Sequence, residues 1–259
     1  MKIIGINSSL RSKNNPISQH ESFTRTLLSE SLEYINKKHR DVEVEIIDLG
    51  DYNIGFEQGA YSSDENFVQM EHLDQDDDMK KLYKKILQAD GIIFSSPTYW
   101  GYPSGLLKTF IERLTPLDEI SDSSKKRRLQ GKVAGAISTS KFDGASRVAQ
   151  DILSMVNYLG FIIPPHAFAF HTGRTTSSVL EDDNDFKEDY FAVRNSQIVA
   201  ENVYLMCKAL KGKSWKIYQE FTHPLSKAEK NGVFDLKKET LAAKKAGFYR
   251  NHNKKKGLV

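Results

Sequence analysis

Apolar and polar positions along this chain follow two alternating periods, which predict a regular series of strands and helices. Short apolar runs predict buried strands, whereas apolar residues spaced three and four apart predict helices with one buried face. Strands are predicted at residues 2–7, 42–49, 91–95 and 132–138, with a fifth strand split between 161–163 and 167–170. Helices are predicted at residues 18–38, 79–88, 104–114, 145–159 and 186–210.

Five strands that alternate with helices are typical of a parallel sheet covered by helices on both faces. The right-handed crossover rule leaves few topologies for such a chain. We favour an α/β, flavodoxin-like fold, a doubly wound five-stranded parallel sheet with strand order 2-1-3-4-5. In that order the carboxyl ends of the first and third strands meet at a switch point, where planar ligands bind. Residues 1–210 form this domain in our interpretation, and residues 211–259 form a basic C-terminal extension.

The stretch from 90 to 113 joins a strand, an aromatic loop and a helix at this switch point. It reads D-G-I-I-F-S-S-P-T-Y-W-G-Y-P-S-G-L-L-K-T-F-I-E-R. Its prolines, glycine and aromatics between 97 and 103 predict a stiff loop rather than a helix or strand interior. An aromatic such as Tyr99 or Trp100 can stack there on a planar ligand, although the same side chains could simply cap the core.

The loop at 7–18 carries hydroxyls, amides and an arginine ahead of a helix. These are the donors that a phosphate monoester needs, and a plain polar turn is the alternative. The loop matches neither G-x-x-x-x-G-K-[ST] nor G-x-G-x-x-G, which excludes a triphosphate P-loop and a Rossmann dinucleotide loop. It has no cysteine, which excludes a low-molecular-weight tyrosine phosphatase, and Ser96 stands where a receiver domain needs an aspartate.

Charge is distributed unevenly along the chain, whose net charge is +3. Residues from Lys208 onward hold 14 Lys or Arg against four acids, about +10, so the remainder is about −7. Binding of nucleic acid or an anionic membrane by this arm would rest on charge alone, and we expect neither partner. A single cysteine, the lack of a secretion signal and the lack of a long apolar run favour a cytoplasmic protein.

The segment 57–78 contains eight acids and no Lys or Arg. We interpret it as a solvated loop whose last aspartates cap the helix at 79–88. A metal site that uses His72, Asp74 and Asp76 is the alternative, but no recognised ligand spacing is present, so no metal is predicted.

Three motifs together resemble the NADPH-dependent FMN reductase family of flavodoxin-like proteins, which includes NAD(P)H-quinone reductases and iron-sulfur flavoproteins. They read I-G-I-N-S-S-L-R-S-K-N-N at 4–15, S-S-P-T-Y-W-G-Y-P-S-G-L-L-K-T-F-I-E-R at 95–113 and L-Q-G-K-V-A-G-A-I at 129–137. The second motif is the most specific, and the similarity covers about residues 1–170. Two departures stand out: Ser8 replaces a usual glycine, and residues 53–78 lack the cysteines of the iron-sulfur relatives, so no cluster is expected.

The resemblance implies an FMN site made by three loops. Around the phosphate it implies Ser9, Arg11, Asn15 and Ser18. Along the isoalloxazine ring it implies Pro97, Thr98, Tyr99, Trp100 and Gly101, with Ser138, Thr139, Ser140 and Gly144 in the third loop. It implies no obligatory catalytic side chain, and His171 is interpreted as a structural residue or a proton donor to a quinone.

The function implied by the resemblance is that of an FMN-dependent NAD(P)H oxidoreductase. A hydride would pass from the nicotinamide to flavin N5, and electrons would then reach a small acceptor such as a quinone, a free flavin, a nitro or an azo compound. An electron-transfer flavodoxin that does not oxidise NAD(P)H is the alternative, which the basic arm disfavours. A homodimer or homotetramer is implied because the family often completes its site from a neighbouring subunit.

Overall fold

The computed structural model describes residues 1–11, 22–57, 76–118, 128–173 and 189–213. These residues belong to one compact unit, Met1–Lys213. The domain boundary predicted at residue 210 lies just before the end of that unit, and residues 214–259 of the predicted basic extension lie outside the described residues. Within the described ranges no helix is long and apolar enough to cross a bilayer.

The sheet has five parallel strands and one short antiparallel strand. The strands are β1 (Lys2–Asn7), β2 (Glu43–Asp48), β3 (Gly91–Tyr99), β4 (Tyr102–Pro103), β5 (Val133–Ser140) and β6 (Phe168–Thr172). The parallel strands lie in the order β2-β1-β3-β5-β6, and β4 pairs with β3 alone. Numbered without β4, this is the predicted order 2-1-3-4-5, so the predicted flavodoxin-like topology is confirmed. The short strand β4 was not predicted.

Helices cover both faces of this sheet. They are α1 (Phe23–Lys38), α2 (Met79–Gln88), α3 (Gly105–Glu112), α4 (Thr115–Asp118), α5 (Ala145–Tyr158) and α6 (Tyr190–Leu210), with a 3-10 turn at Leu49–Asp51. One apolar core contains residues of α1 and α6, and a second core, on the other face, contains residues of α2, α3 and α5. Of the last aspartates of the acidic segment, Asp77 accepts the Met79 N–H at 2.8 Å at the start of α2, whereas the Asp78 side chain at the N-cap position makes no capping hydrogen bond.

Glycines in the central strands let α1 and α6 lie close to the sheet. A Cβ at Gly135 would lie 2.7 Å from Val199 Cγ1 of α6, and one at Gly5 would lie 2.8 Å from Leu32 Cδ1 of α1. Real Cβ contacts are essentially never this short, so a side chain at either position would push the helix outward. These two helices therefore have fixed positions above the strands that carry the loops of the site.

The aromatic motif forms more regular structure than its composition predicts, which corrects the loop predicted at 97–103. β3 continues to Tyr99, and Pro97 is paired in register with Thr139 of β5. The Ser95 carbonyl accepts the Ser8 N–H on the side of β3 that faces β1. The backbone of Pro97, two residues further along β3, faces the same side, but the pairing with β1 ends at Asn7 and Ser95. Because no strand among the described residues pairs with β3 on that side at Pro97, the missing N–H of proline costs no ladder hydrogen bond there.

Candidate functional site

The carboxyl ends of β1, β3 and β5 bring three loops to one edge of the sheet. Asn7, the last residue of β1, is in register with Ser95 of β3, and Ser138 of β5 is in register with Ser96. The chain leaves β1 towards α1 on one face and leaves β3 towards α3 on the other. This divergence between β1 and β3 is the switch point at which open α/β sheets bind ligands.

Hydrogen bonds from β1 and β2 shape the start of the first loop. The Asn7 side chain donates to Asp48 Oδ1 at 2.7 Å and accepts the Ser9 N–H at 3.3 Å. The Ser9 hydroxyl in turn accepts the Arg11 N–H at 3.3 Å. Arg25 of α1 donates from Nε to both Asp48 oxygens, at 3.0 and 2.9 Å, and so neutralises the carboxylate beside the loop.

Two of the four residues predicted around a phosphate can be placed. Ser9 is buried at the foot of the loop, whereas the side chain of Arg11 is exposed. A buried hydroxyl and an exposed guanidinium in one short loop are suitable donors for a dianion. Asn15 and Ser18 lie outside the described residues.

A tight hairpin at the end of β3 carries the aromatic residues. Tyr99 of β3 is paired with Tyr102 of β4, so Trp100 and Gly101 are the two turn residues. Both have positive φ, +54° and +78°, the combination that a type I′ turn requires. Gly101 suits this conformation, but a bulky residue such as Trp100 rarely adopts it. The Trp100 side chain is nonetheless 99% exposed, so packing within the described chain does not account for it.

The third loop contacts this hairpin. Gly144, with φ +80°, lies so close that a Cβ there would be 3.4 Å from Thr98 Cγ2 and 3.6 Å from Gly101 Cα. The Thr98 hydroxyl lies 3.2 Å from Ser138 Oγ, which joins β3 to β5 on the same face. The structure therefore brings the predicted residues Thr98, Gly101, Ser138 and Gly144 together.

Thr139 does not belong with this group, which corrects part of the predicted third loop. Ser138, Thr139 and Ser140 lie in β5, and the loop itself is limited to residues 141–144. Successive side chains of a strand point to opposite faces, so Thr139 faces the α1 side, opposite to Ser138. Its Oγ1 lies 2.6 Å from Thr24 Oγ1 at the start of α1. That hydroxyl is thus engaged with the helix and not with the hairpin.

His171, at the end of β6, has the contacts of a structural residue. Its Nδ1 lies 2.5 Å from Asp189 Oδ2, and the ring of Phe23 packs edge-on against it at 6.2 Å. Asp189 also caps α6 by accepting the Ala192 N–H at 3.0 Å. Burial raises the pKa of Asp189, but the hydrogen bonds from Ala192 and His171 outweigh it and hold the pKa below its usual range. The carboxylate therefore stays charged and fixes the histidine against α6.

Sequence reasoning missed the buried polar residues beneath the loops. Fully or almost fully buried hydroxyls lie between β1, β3 and the start of α3, at Ser8, Ser95, Ser96 and Ser104. The paired serines at 8–9 and 95–96, each directly after an apolar strand, were the available signal. No local pattern predicted that Arg25 would reach Asp48, because the two residues belong to different elements.

The described residues place neither a reactive thiol nor a group of metal-binding side chains at this edge. The only cysteine, Cys207, contacts Gly91 at the opposite, amino end of β3, and burial raises its pKa to about 12, so the thiol stays protonated. Among the described residues no three His, Cys, Asp or Glu side chains are grouped as a metal site requires. His72 and Asp74, from the alternative metal site, lie outside those residues.

The residues at the edge fit the two ends of a flavin mononucleotide. The hydroxyl of Ser9 and the charge of Arg11 suit a phosphate, whereas the exposed rings of Tyr99 and Trp100 suit a planar aromatic ligand. The glycine at 101 leaves space above the hairpin, because a Cβ there would have no neighbour within 4 Å. The assignment of individual residues to the phosphate and the ring stays a prediction.

A family model and two relatives show what this chain is similar to. The model of the NADPH-dependent FMN reductase family matches residues 1–175, which include all three motifs, so the resemblance is confirmed. The chain is 27% identical over 173 residues to an 8-demethyl-8-aminoriboflavin-5'-phosphate synthase of Streptomyces davaonensis, which covers 67% of this chain and 64% of the synthase, just under two thirds of its length. It is 26% identical over 219 residues to an iron-sulfur flavoprotein of Archaeoglobus fulgidus, covering 82% of this chain and 98% of that protein.

Among solved structures, that of RosB with the bound intermediate 8-demethyl-8-formylriboflavin-5'-phosphate is similar, with a TM-score of 0.71. The two share 21% sequence identity, and the alignment covers 100% of this chain and 98% of that chain. At this identity the similarity shows a common fold.

Proposed function

Because the chain belongs to the NADPH-dependent FMN reductase family, we propose that it is an FMN-dependent NAD(P)H oxidoreductase. Its acceptor is a small molecule such as a quinone, a free flavin, a nitro or an azo compound. The observation that carries this proposal is Trp100, an exposed aromatic side chain held in a left-handed turn at the carboxyl end of β3. Strained backbone and an exposed ring at a switch point are features of a ligand site rather than of a stability device.

Each loop has its own task in this proposal. Ser9 and Arg11 would hold the phosphate, and the hairpin at 98–101 would support the ring, with its backbone N–H groups stabilising negative charge there. Acceptance of a hydride from NAD(P)H and delivery of electrons to the acceptor are the chemistry that FMN supplies when bound. The protein contributes position, electrostatics and exclusion of water from the ring face that the hairpin covers.

Two observations favour an enzyme over an electron carrier. The family match is to a reductase family, and the hairpin leaves an exposed, largely aromatic surface that a planar substrate can approach. The large exposed side chains of the hairpin are those of Tyr99, Trp100 and Tyr102, and none of them is acidic. An acidic docking face, which a carrier needs for a protein partner, is therefore not found on the hairpin.

The relation to the synthase favours a second candidate, in which a riboflavin 5'-phosphate is the substrate and not a resident cofactor. Both candidates place the same ligand chemistry at the same three loops. They differ in the fate of the flavin, which returns unchanged after each turnover in the oxidoreductase and leaves with a new substituent in the second case. Mass spectrometry of the flavin after incubation separates them.

The test of the leading candidate is an anaerobic titration of the FMN-loaded protein. Bleaching of the flavin absorbance by NADPH or NADH, followed by recovery when a quinone is added, is the expected result and identifies the donor. A bound flavin that neither nucleotide bleaches would contradict the oxidoreductase and leave an electron carrier. If the protein takes up no FMN, both the oxidoreductase and the electron carrier are contradicted.

A homodimer or homotetramer in a reducing cytoplasm is part of this proposal. The exposed aromatic residues around the site support a subunit contact at this edge, where they would be covered by a neighbour. Light scattering of the purified chain measures the mass directly, and a monomeric mass with full activity would contradict this part.

A further inference from the structure

A chain of buried hydroxyl groups joins the first loop to the start of α3. The Ser8 hydroxyl donates to the Ser95 carbonyl at 2.9 Å and accepts from the Ser104 hydroxyl at 2.9 Å. Ser104 Oγ is also the N-cap acceptor for the Leu107 N–H, at 3.2 Å. The order of donation is therefore Leu107 to Ser104, Ser104 to Ser8, and Ser8 to β3.

A second set of hydrogen bonds joins the start of α3 to the base of the hairpin. The Ser104 N–H donates to Ser96 Oγ at 2.9 Å, and the Ser96 hydroxyl donates to the Pro97 carbonyl at 2.8 Å. Ser104 thus links the loop predicted to hold the phosphate with the hairpin predicted to hold the ring. Ser8 also bonds directly to Ser95, the residue before Ser96, so Ser104 adds a second connection between the two loops.

Burial makes these bonds strong and their loss costly. Ser8, Ser95 and Ser96 are completely buried, and Ser104 is 3% exposed. In a low-dielectric interior a hydroxyl chain of this kind is strengthened by mutual polarisation, and a member left without its partner is penalised. The first loop, the hairpin base and α3 consequently share one conformation.

We propose that Ser8 is a positioning residue that couples the phosphate end of the flavin site to its ring end. This inference rests on the proposed function, since it names how that same site binds its ligand. A phosphate bound at the first loop stabilises the conformation in which Ser8 is bonded to Ser104, and through Ser104 it stabilises the hairpin that meets the ring. The two halves of the ligand therefore bind with positive cooperativity, which is a coupling free energy between two parts of one site.

Riboflavin and inorganic phosphate, used as two separate probes, measure this coupling. In the unmodified protein, saturating phosphate is expected to lower the riboflavin dissociation constant about fivefold, as followed by flavin fluorescence. In Ser8→Ala the same addition is expected to change it by less than about twofold, and the FMN dissociation constant is expected to rise about tenfold. No phosphate effect in the unmodified protein, or an undiminished effect in Ser8→Ala, would overturn the inference.

Ser31→Ala is the matched control. Ser31 is also completely buried, but its hydroxyl donates to Leu28 O at 2.7 Å within α1, away from the hydroxyl chain of Ser8 and Ser104. This variant removes a buried hydroxyl and is expected to keep the fivefold phosphate effect. An equal loss of coupling in Ser31→Ala and Ser8→Ala would assign the effect to general destabilisation and overturn the inference.

Amide hydrogen exchange of the flavin-free protein separates this inference from the proposed function. Ser8→Ala is expected to raise exchange at the Leu107 and Ser9 amides about tenfold, whereas Ser31→Ala leaves both unchanged. If the protein binds no flavin but shows this exchange pattern, the proposed function is contradicted and the connection between Ser8 and Ser104 is supported. If the protein binds flavin and Ser8→Ala leaves amide exchange unchanged, the proposed function is supported and the inference about Ser8 is contradicted.

Discussion

Arg113 Nη1 lies 2.8 Å from Asp77 Oδ2, and both side chains are more than nine-tenths buried. The same nitrogen donates to the Gly55 carbonyl at 2.7 Å. Burial raises the pKa of Tyr83 to about 12, and its protonated hydroxyl donates to the Arg113 carbonyl at 2.6 Å. The arginine that ends the most specific motif therefore fastens α3 to the segments on either side of residues 58–75, and it does not face the candidate site.

Replacement of this arginine tests that structural role. Arg113→Met leaves the buried Asp77 carboxylate without its partner, so the free energy of unfolding in urea should fall by about 3 to 5 kcal/mol. Arg147→Met removes an arginine of similar size from an exposed position on α5 and should change it by less than about 0.5 kcal/mol. Equal losses in the two variants would show that the buried pair is not what holds this region.

Trp100→Asn should raise stability and weaken flavin binding at the same time. Asparagine adopts the left-handed conformation of the turn more readily, so the free energy of unfolding should rise by about 1 kcal/mol. Loss of the aromatic face should raise the FMN dissociation constant about three- to tenfold. Tyr158→Asn, at an exposed aromatic residue ending α5, should change neither quantity. Unaltered FMN binding in Trp100→Asn would contradict the stacking role.

Thr139→Val and Thr98→Val should differ in their effect on flavin binding. Thr139→Val leaves the hydroxyl of Thr24 without its partner, so the free energy of unfolding should fall by about 1 to 2 kcal/mol while the FMN dissociation constant stays within about twofold. Thr98→Val removes the hydroxyl that lies 3.2 Å from the buried Ser138 Oγ beside the hairpin, so it should raise the FMN dissociation constant as well as lower the free energy of unfolding by about 1 to 2 kcal/mol. Urea unfolding and fluorescence titration measure the two quantities. If Thr139→Val weakened FMN binding and Thr98→Val did not, Thr139 and not Thr98 would belong to the flavin site.

Glu201 should make the fold depend on pH in the acid range. His39 Nε2 lies 3.0 Å and Lys38 Nζ 3.1 Å from its carboxylate oxygens. Burial raises the pKa of Glu201, but these two partners outweigh it and lower the pKa below its usual value of 4.5. Its contribution is thus present above the unfolded pKa and is lost as the pH falls through the lower folded value.

The variant Glu201→Gln measures this contribution. It should reduce the free energy of unfolding by about 2 kcal/mol near neutral pH, and the difference from the unmodified protein should shrink as the pH falls below 4.5 through the lower folded pKa. Glu33→Gln breaks the exposed pair with Lys37 and should cost less than about 0.5 kcal/mol at any of these pH values. A difference that stays constant with pH would exclude the ionised carboxylate as its source.

The fold could be predicted from the sequence because β1, β3 and β5 contain short apolar runs and β2 alternates acidic with apolar residues, both of which are local patterns. The hairpin could not, because Pro97 in a strand and Trp100 in a left-handed turn both contradict local preference. Tertiary context decides the first position, because β1 ends beside Pro97. Contact with a ligand at Trp100 is our proposal for the second. Motif matching predicted the site residues, but it grouped Thr139 with Ser138, although strand alternation separates their side chains.

The buried partners of the motif residues lay beyond sequence reasoning for a different reason. Arg113 belongs to the recognised motif, yet its partners Gly55 and Asp77 come from a segment without apolar period. Ser8 departs from the usual glycine, and only the positions of Ser95 and Ser104 show that its hydroxyl has an acceptor and a donor. Contacts between distant residues depend on packing that no local period encodes.

A crystal structure of the protein with FMN tests the central claim most directly. The account predicts the ring within about 4 Å of the hairpin at 98–101 and the phosphate at the first loop, beside Ser9 and Arg11. A polar groove of about 700 Å³ lies at the opposite, amino edge of the sheet, lined in part by Lys2, Arg40 and Asp90. FMN bound in that groove, or with its ring away from Trp100, would contradict the account.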